Sequence, residues 1–142
     1  MSKQGKFFED LSIGESAQMT FPVTEAVIEK FAEVSGDDNP VHLDEAFAKT
    51  TQFGTRIAHG MLSAGFISAL VGTKLPGYGS IYLSQTLRFR RPVKIGDEVV
   101  VTATVTALDA DKGRATIETV CSVGGKTVVE GEALIMPPRR GA

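Results

Sequence analysis

This chain of 142 residues is poor in the residues that support the less common kinds of protein chemistry. It holds one cysteine, Cys121, which excludes an internal disulfide and fits a reducing compartment. It holds two histidines, His42 and His59, with no Cys or His close to either, and that spacing does not make a zinc site. Neither sign of charge dominates: 15 Lys and Arg stand against 17 Asp and Glu, and the net charge of −2 argues against nucleic acid as the main partner. The longest apolar run, residues 61–71, is broken by Ser63, Gly65 and Ser68, which is too short and too interrupted to span a bilayer. Residues 1–9 lack the charged-then-apolar pattern of an export signal, so a cytoplasmic location is expected. There is no repeat and no low-complexity segment. Residues 72–79 contain glycines but lack the Lys-Ser/Thr ending of a phosphate loop, and no Ser-His-Asp nucleophile elbow is present.

What is present describes one domain. Hydrophobic residues make up 42% and charged residues 23%, which at this length suits a single core of moderate size. Residues 1–10 read as a loosely held lead-in, and residues 16–23 as a short strand or edge ending near Pro22. Thr24 is placed to cap a helix, since its hydroxyl can accept from a free first-turn N–H. Val27, Ile28, Phe31 and Val34 then recur at helical spacing up to Ser35-Gly36, where a glycine suits the left-handed closing residue. Pro40 lacks an N–H and pushes Asn39 out of the helical region, so a loop follows before a short helix capped by Asp44.

The next helix, residues 59–74, is apolar nearly all round and is expected to be buried on most sides. Strands are expected over residues 80–90, 98–108, 115–123 and 127–136, with Gly124-Gly125 as a hairpin signal and 137–140 as a frayed tail. Val99, Val101, Ala103 and Val105 alternate with Val100, Thr102, Thr104 and Thr106, as befits a sheet with one face against a helix. The expected class is α+β, an antiparallel sheet wrapped around one long helix. The small residues on that helix permit close approach, and a homodimer is expected to bury what one helix leaves uncovered.

The segment with the most chemistry is Ser35-Gly36-Asp37-Asp38-Asn39-Pro40-Val41-His42. It sets a carboxylate and an imidazole five residues apart, the usual pair for moving protons near neutrality. Its pattern, Ser-Gly-Asp-x-Asn-Pro-x-His with Phe31 ahead of it, resembles the signature of the (R)-specific enoyl-CoA hydratases among the MaoC-like dehydratases. Phe53-Gly54-Thr55-Arg56-Ile57-Ala58-His59-Gly60-Met61 resembles the loop leading into that family's central helix. Residues 79–83, Phe89-Arg90-Arg91-Pro92-Val93 and Ile95-Gly96-Asp97 resemble segments at and after the start of its sheet. The likeness covers residues 10–136, the core of a single domain over 1–142.

The resemblance implies the hot-dog fold and reversible hydration of a 2-enoyl-CoA to an (R)-3-hydroxyacyl-CoA, for instance as a polyester precursor, with the thioester as substrate and no cofactor. It implies that Asp37 and His42 hold the attacking water, that Asn39 orients the site, and that Ser68 supports the aspartate. Which of the pair takes the first proton is not readable. Gly60, at a helix start where N–H groups are unpaired, is the candidate donor to the thioester oxygen, and the resemblance points to the same amide. His59 reads as a structural residue at that helix start rather than a second catalytic histidine. Arg88, Arg90 and Arg91, with Lys94 nearby, are candidates for the phosphates of coenzyme A. Other readings are a dehydratase acting on carrier-protein thioesters, a hot-dog acyl-CoA thioesterase, and a silent acyl-binding module. The thioesterases usually place a lone carboxylate on or near the helix, and the Asp-x-Asn-Pro-x-His loop favours hydration over them.

Overall fold

Four buried positions in step, Val99, Val101, Ala103 and Val105, set one face of the sheet against a helix, and the fold grows from that pattern. The computed structural model describes residues 4–141; residues 1–3 of the lead-in, and residue 142, lie outside the described residues. In chain order the elements are β1 (Ser16–Pro22), α1 (Glu25–Ser35), α2 (Pro40–Leu43), α3 (Glu45–Ala48), α4 (Gly60–Thr73), β2 (Ile81–Gln85), β3 (Arg88–Phe89), β4 (Glu98–Asp109), β5 (Arg114–Val123) and β6 (Lys126–Met136). The six strands form one antiparallel sheet in the order β1-β4-β5-β6-β2, with β3 also pairing β6. The helix α4 lies on its inner face. Leu62, Ile67, Leu70 and Val71 of α4 join Val101, Ile117, Cys121 and Ile135 of the strands in one core. Each such side chain contributes about 1.5–3 kcal/mol on full burial.

The local signals in the first third are met closely. Thr24 Oγ1 accepts from the Val27 N–H at 3.1 Å, and Gly36 closes α1 at φ 79°, a conformation that favours glycine. Gly124 and Gly125 make the β5–β6 hairpin.

Five expectations are corrected. The lead-in is tied down from residue 6 onward: Phe8 is buried, and its N–H donates to the Pro138 carbonyl at 2.8 Å. The same contacts hold the tail, where Pro137 is buried and Arg139 lies over the Phe8 ring. The strand expected over residues 80–90 is split into β2 and β3 at Thr86, where the Glu132 N–H of β6 donates to the Thr86 hydroxyl at 3.0 Å instead of to its backbone carbonyl. Val34, in phase with Phe31, is 87% exposed, since α1 runs past the edge of what it covers. Finally, α4 is buried on one side only. Met61, Gly65 and Ser68 are exposed along the other. One helix touching one sheet leaves a face open however apolar its sequence is.

Candidate active site

The segment between α1 and α4 carries the chemistry, and its shape comes from side chains replacing missing backbone partners. After Gly36, the Asp37 N–H donates to Ser35 Oγ at 3.1 Å, and the Asn39 N–H donates to Asp37 Oδ1 at 3.2 Å. Asn39 then caps α2, accepting the Val41 N–H on Oδ1 at 3.1 Å, with Pro40 at the first helical position. The expected loop is therefore partly a helical turn, and His42 rides on it. The Asn39 N–H thus holds the Asp37 carboxylate, and the Asn39 side chain starts the turn that carries His42.

His42 is buried, and its Nδ1 lies 2.7 Å from the Ile57 carbonyl oxygen. A carbonyl only accepts, so Nδ1 carries the proton and neutral His42 keeps Nε2 as a bare acceptor. Burial pushes the His42 pKa below 6.5; the Ile57 carbonyl pulls it back up, His59 lowers it further and Asp37 raises it. Arg56 braces the same residue from below: its Nε donates to the His42 carbonyl at 2.8 Å and its Nη1 to Glu25 at 2.8 Å. His59 is 2% exposed and stacks on His42 with ring centroids 3.8 Å apart. Asp37, His42 and His59 each bring one polar atom within 4.8 Å of the other two. Seventeen residues of sequence therefore do not keep the two imidazoles apart in space, so sequence spacing alone does not exclude a metal site. The rings stack 28° from parallel, and one nitrogen of each, His42 Nδ1 and His59 Nε2, faces a backbone carbonyl.

Beside this cluster is a cavity of about 480 Å3 whose lining includes Asp37, His59, Gly60, Ser63, Phe89 and Arg91. His42 does not line it and reaches it through its neighbours. Gly60 opens α4, and its N–H has no acceptor among the described residues. A Cβ at this position would fall 2.7 Å from the half-exposed Phe89 ring, which would have to shift to admit it.

The remaining candidates divide. Ser68 is exposed two turns along α4, and among the described residues no hydrogen bond joins it to Asp37; Ser63 lines the cavity instead. Arg90 lines the cavity but pairs with Glu130, its Nε donating at 2.8 Å. Arg91 lines it too and donates to the Thr127 carbonyl at 2.7 Å, with no carboxylate partner among the described residues. Arg88 lies in a separate cavity with Glu118, Glu130 and Glu132, because β3 ends at Phe89 and the expected strand face does not continue to residue 90. Arg56 and His59 are the residues that sequence reasoning undervalued. An arginine directly before the otherwise weakly polar run Ile57-Ala58-His59-Gly60 was the available signal for one of them.

A helix cradled by an antiparallel sheet, with a carboxylate and an imidazole beside the helix start, defines a hot-dog enzyme. The chain belongs to the MaoC-like domain family, whose model matches residues 11–129. It is 54% identical over 135 residues to the (R)-specific enoyl-CoA hydratase of Rhodospirillum rubrum, covering 95% of this chain and 94% of that one. It is 48% identical to the 3-hydroxybutyryl-CoA dehydratase of Methylorubrum extorquens, over 94% of this chain and 85% of that one. Among solved structures, the unliganded R-hydratase PhaJ1 from Pseudomonas aeruginosa superposes with a TM-score of 0.91 at 50% identity, covering 96% of this chain and 88% of that one.

Proposed function

We propose that this protein is an (R)-specific 2-enoyl-CoA hydratase, a hydro-lyase that adds water reversibly to trans-2-enoyl-CoA and gives (R)-3-hydroxyacyl-CoA. The observation that carries the reading is the Asp37–His42 pair packed beside a cavity whose wall includes the free Gly60 N–H. Hydration needs a base for water, an acid for the α carbon and a donor for the thioester oxygen as it gains enolate character. His42 Nε2, bare in the neutral ring, takes the proton from water. The Asp37 carboxylate holds that water and, with His42, forms a unit that returns a proton to carbon. The Gly60 amide, at the positive end of α4, receives the developing oxyanion. No cofactor enters these steps.

Crotonyl-CoA tests this directly, by loss of the conjugated thioester absorbance followed by chiral analysis of the product. An (R)-3-hydroxy product is expected. An (S) product, or free CoA released without hydration, overturns the reading; the latter is the outcome a thioesterase gives.

Of the three arginines offered for phosphate, Arg91 is the best placed, because its charge is not already met by a carboxylate. Arg91→Ala is expected to raise KM for crotonyl-CoA several-fold and leave KM for the N-acetylcysteamine thioester unchanged. An equal rise in both removes Arg91 from phosphate binding. Ser68 as support for Asp37 is tested by Ser68→Ala, which should lower kcat more than KM.

A second copy of the chain is the proposed cover for the open side of α4 and the exposed Ile81, Tyr82 and Leu83 of the edge strand β2. Light scattering should give twice the 15.1 kDa of one chain. Among the described residues no helix is long and apolar enough to cross a membrane, in keeping with a cytoplasmic enzyme.

A further inference from the structure

The mechanism so far leaves His59 without a part, although it is among the most deeply buried polar residues of the site at 2% exposure. It occupies the capping position of α4, where Ser, Thr, Asp or Asn would satisfy a first-turn N–H, yet it makes no side-chain cap. Its bond runs the other way. Nε2 lies 2.9 Å from the carbonyl oxygen of Asp37, twenty-two residues earlier. The carbonyl can only accept, so Nε2 holds the proton and Nδ1 is bare. That Nδ1 is buried and has no partner among the described residues. The chain thus forgoes a cap and leaves a buried nitrogen unpaired in order to keep an imidazole here.

What the imidazole holds is specific. The other hydrogen bonds of Asp37 are local, to Ser35 Oγ and from the Asn39 N–H. His59 supplies its long-range tether. One face of its ring stacks on His42 at 3.8 Å, and Phe31 of α1 packs at 4.8 Å, tilted by 57°. The residue after it is Gly60. One rigid ring therefore touches both members of the acid–base pair and is bonded through the chain to the candidate oxyanion amide. We propose that His59 is a positioning residue of this site, which through Nε2–H and its ring face fixes Asp37 and His42 in register with the Gly60 N–H.

This role rests on the hydratase reading. Misplacing a reacting group by about 1 Å can cost on the order of a hundredfold in rate even when nothing that touches substrate is lost. The test compares His59→Gln, which keeps a side-chain N–H donor, with His59→Met, which has similar length and no donor. In crotonyl-CoA hydration, His59→Met is expected to lose at least tenfold, of order a hundredfold, in kcat with KM within about threefold of wild type. His59→Gln should recover at least tenfold over His59→Met, which a purely space-filling role would not produce. A His59→Met variant within tenfold of wild type, equal losses in the two variants, or a loss confined to KM overturns the role. If His59→Met does not unfold cooperatively, nitrogen-15 spectra of the wild-type imidazoles decide. An Nε2–H tautomer with slowed solvent exchange supports the tether, and an Nδ1–H or freely exchanging ring overturns it. A wild type that does not hydrate at all overturns the hydratase reading itself, whereas an active wild type with an active His59→Met overturns only His59.

Discussion

The inner face of the sheet and the corner between α1 and α4 are buried by different means. Along β4 and β5, Val99, Val101, Ala103, Ala115 and Ile117 are all fully covered, and the strands satisfy one another's backbone through an unbroken ladder apart from single bulges. Burial there is apolar and redundant, and each residue does what its neighbours do. In the corner, three bonds from side chains to distant carbonyls carry the structure: His42 to Ile57, His59 to Asp37, and Arg56 to His42. None has a substitute. The sheet is built for stability and the corner for position, so damage to the two should register in different measurements.

The largest expected effect lies in the corner and in rate. Asp37→Asn and His42→Ala should each lower kcat by about 10²–10⁴-fold, equivalent to about 3–5 kcal/mol of barrier. Asp37 is exposed, so its variant should melt close to wild type. Near-normal turnover in either variant removes that residue from the mechanism. Next comes the sheet. Ile117→Ala empties a site with 0% exposure, and a cost of about 2–5 kcal/mol is expected in denaturant unfolding, with kcat per folded molecule unchanged. A fall in kcat comparable to that of the corner variants would mean that the two regions are not separable.

This contrast also explains what was legible beforehand. A period of two announced β4 because its inner and outer residues differ, and Thr24 and Gly36 announced α1 because capping and left-handed closure are local events. The helix α4 was visible as a helix, but which side it buries was not. A sequence that is apolar all round has no phase, and only the sheet decides that Leu62 and Ile67 go in while Met61 and Gly65 stay out. Asp37 and His42 could be found because they share one short motif. The meeting of His42 with His59, and the bracing of His42 by Arg56, depend on how the chain returns after α3. No spacing rule encodes that return. Arg88 and Arg90 line different cavities for a related reason: alternation predicts a shared face only while a strand lasts, and β3 lasts two residues.

Arg56 offers a smaller and more mixed effect. Its guanidinium is largely buried and joins Glu25 to the His42 backbone, whereas Glu25 is mostly exposed, so little of its value lies in the ion pair. Arg56→Met keeps the stem and removes the donors. A loss of about 1–3 kcal/mol in stability, from the unpaired His42 carbonyl, should accompany a fall of roughly tenfold in kcat. A stability loss with kcat intact would class Arg56 with the sheet instead of the corner.

The finest comparison sets one titrating group in each region. Burial alone pushes the Cys121 thiol up to about 12, so in the folded protein it should resist thiol reagents at pH 8. His42 is pushed the opposite way by the same burial, because desolvation disfavours whichever form is charged, but it has neighbours that partly resist. Its folded pKa lies below the 6.5 of the free ring, so the neutral base persists into mild acid. The acid limb of kcat/KM should therefore fall below pH 6.5, and a limb at or above that value contradicts a neutral His42 base. The unfolded chain binds the extra proton first as pH drops, so this group's contribution to stability is present above about pH 6.5 and is lost as pH falls toward the folded pKa. Asp37 is one of the neighbours that raise the His42 pKa. Asp37→Asn should accordingly lower it further in an NMR titration of the ring, which reads the coupling without needing turnover. An unchanged or raised value would show that the carboxylate and the imidazole do not act as a pair.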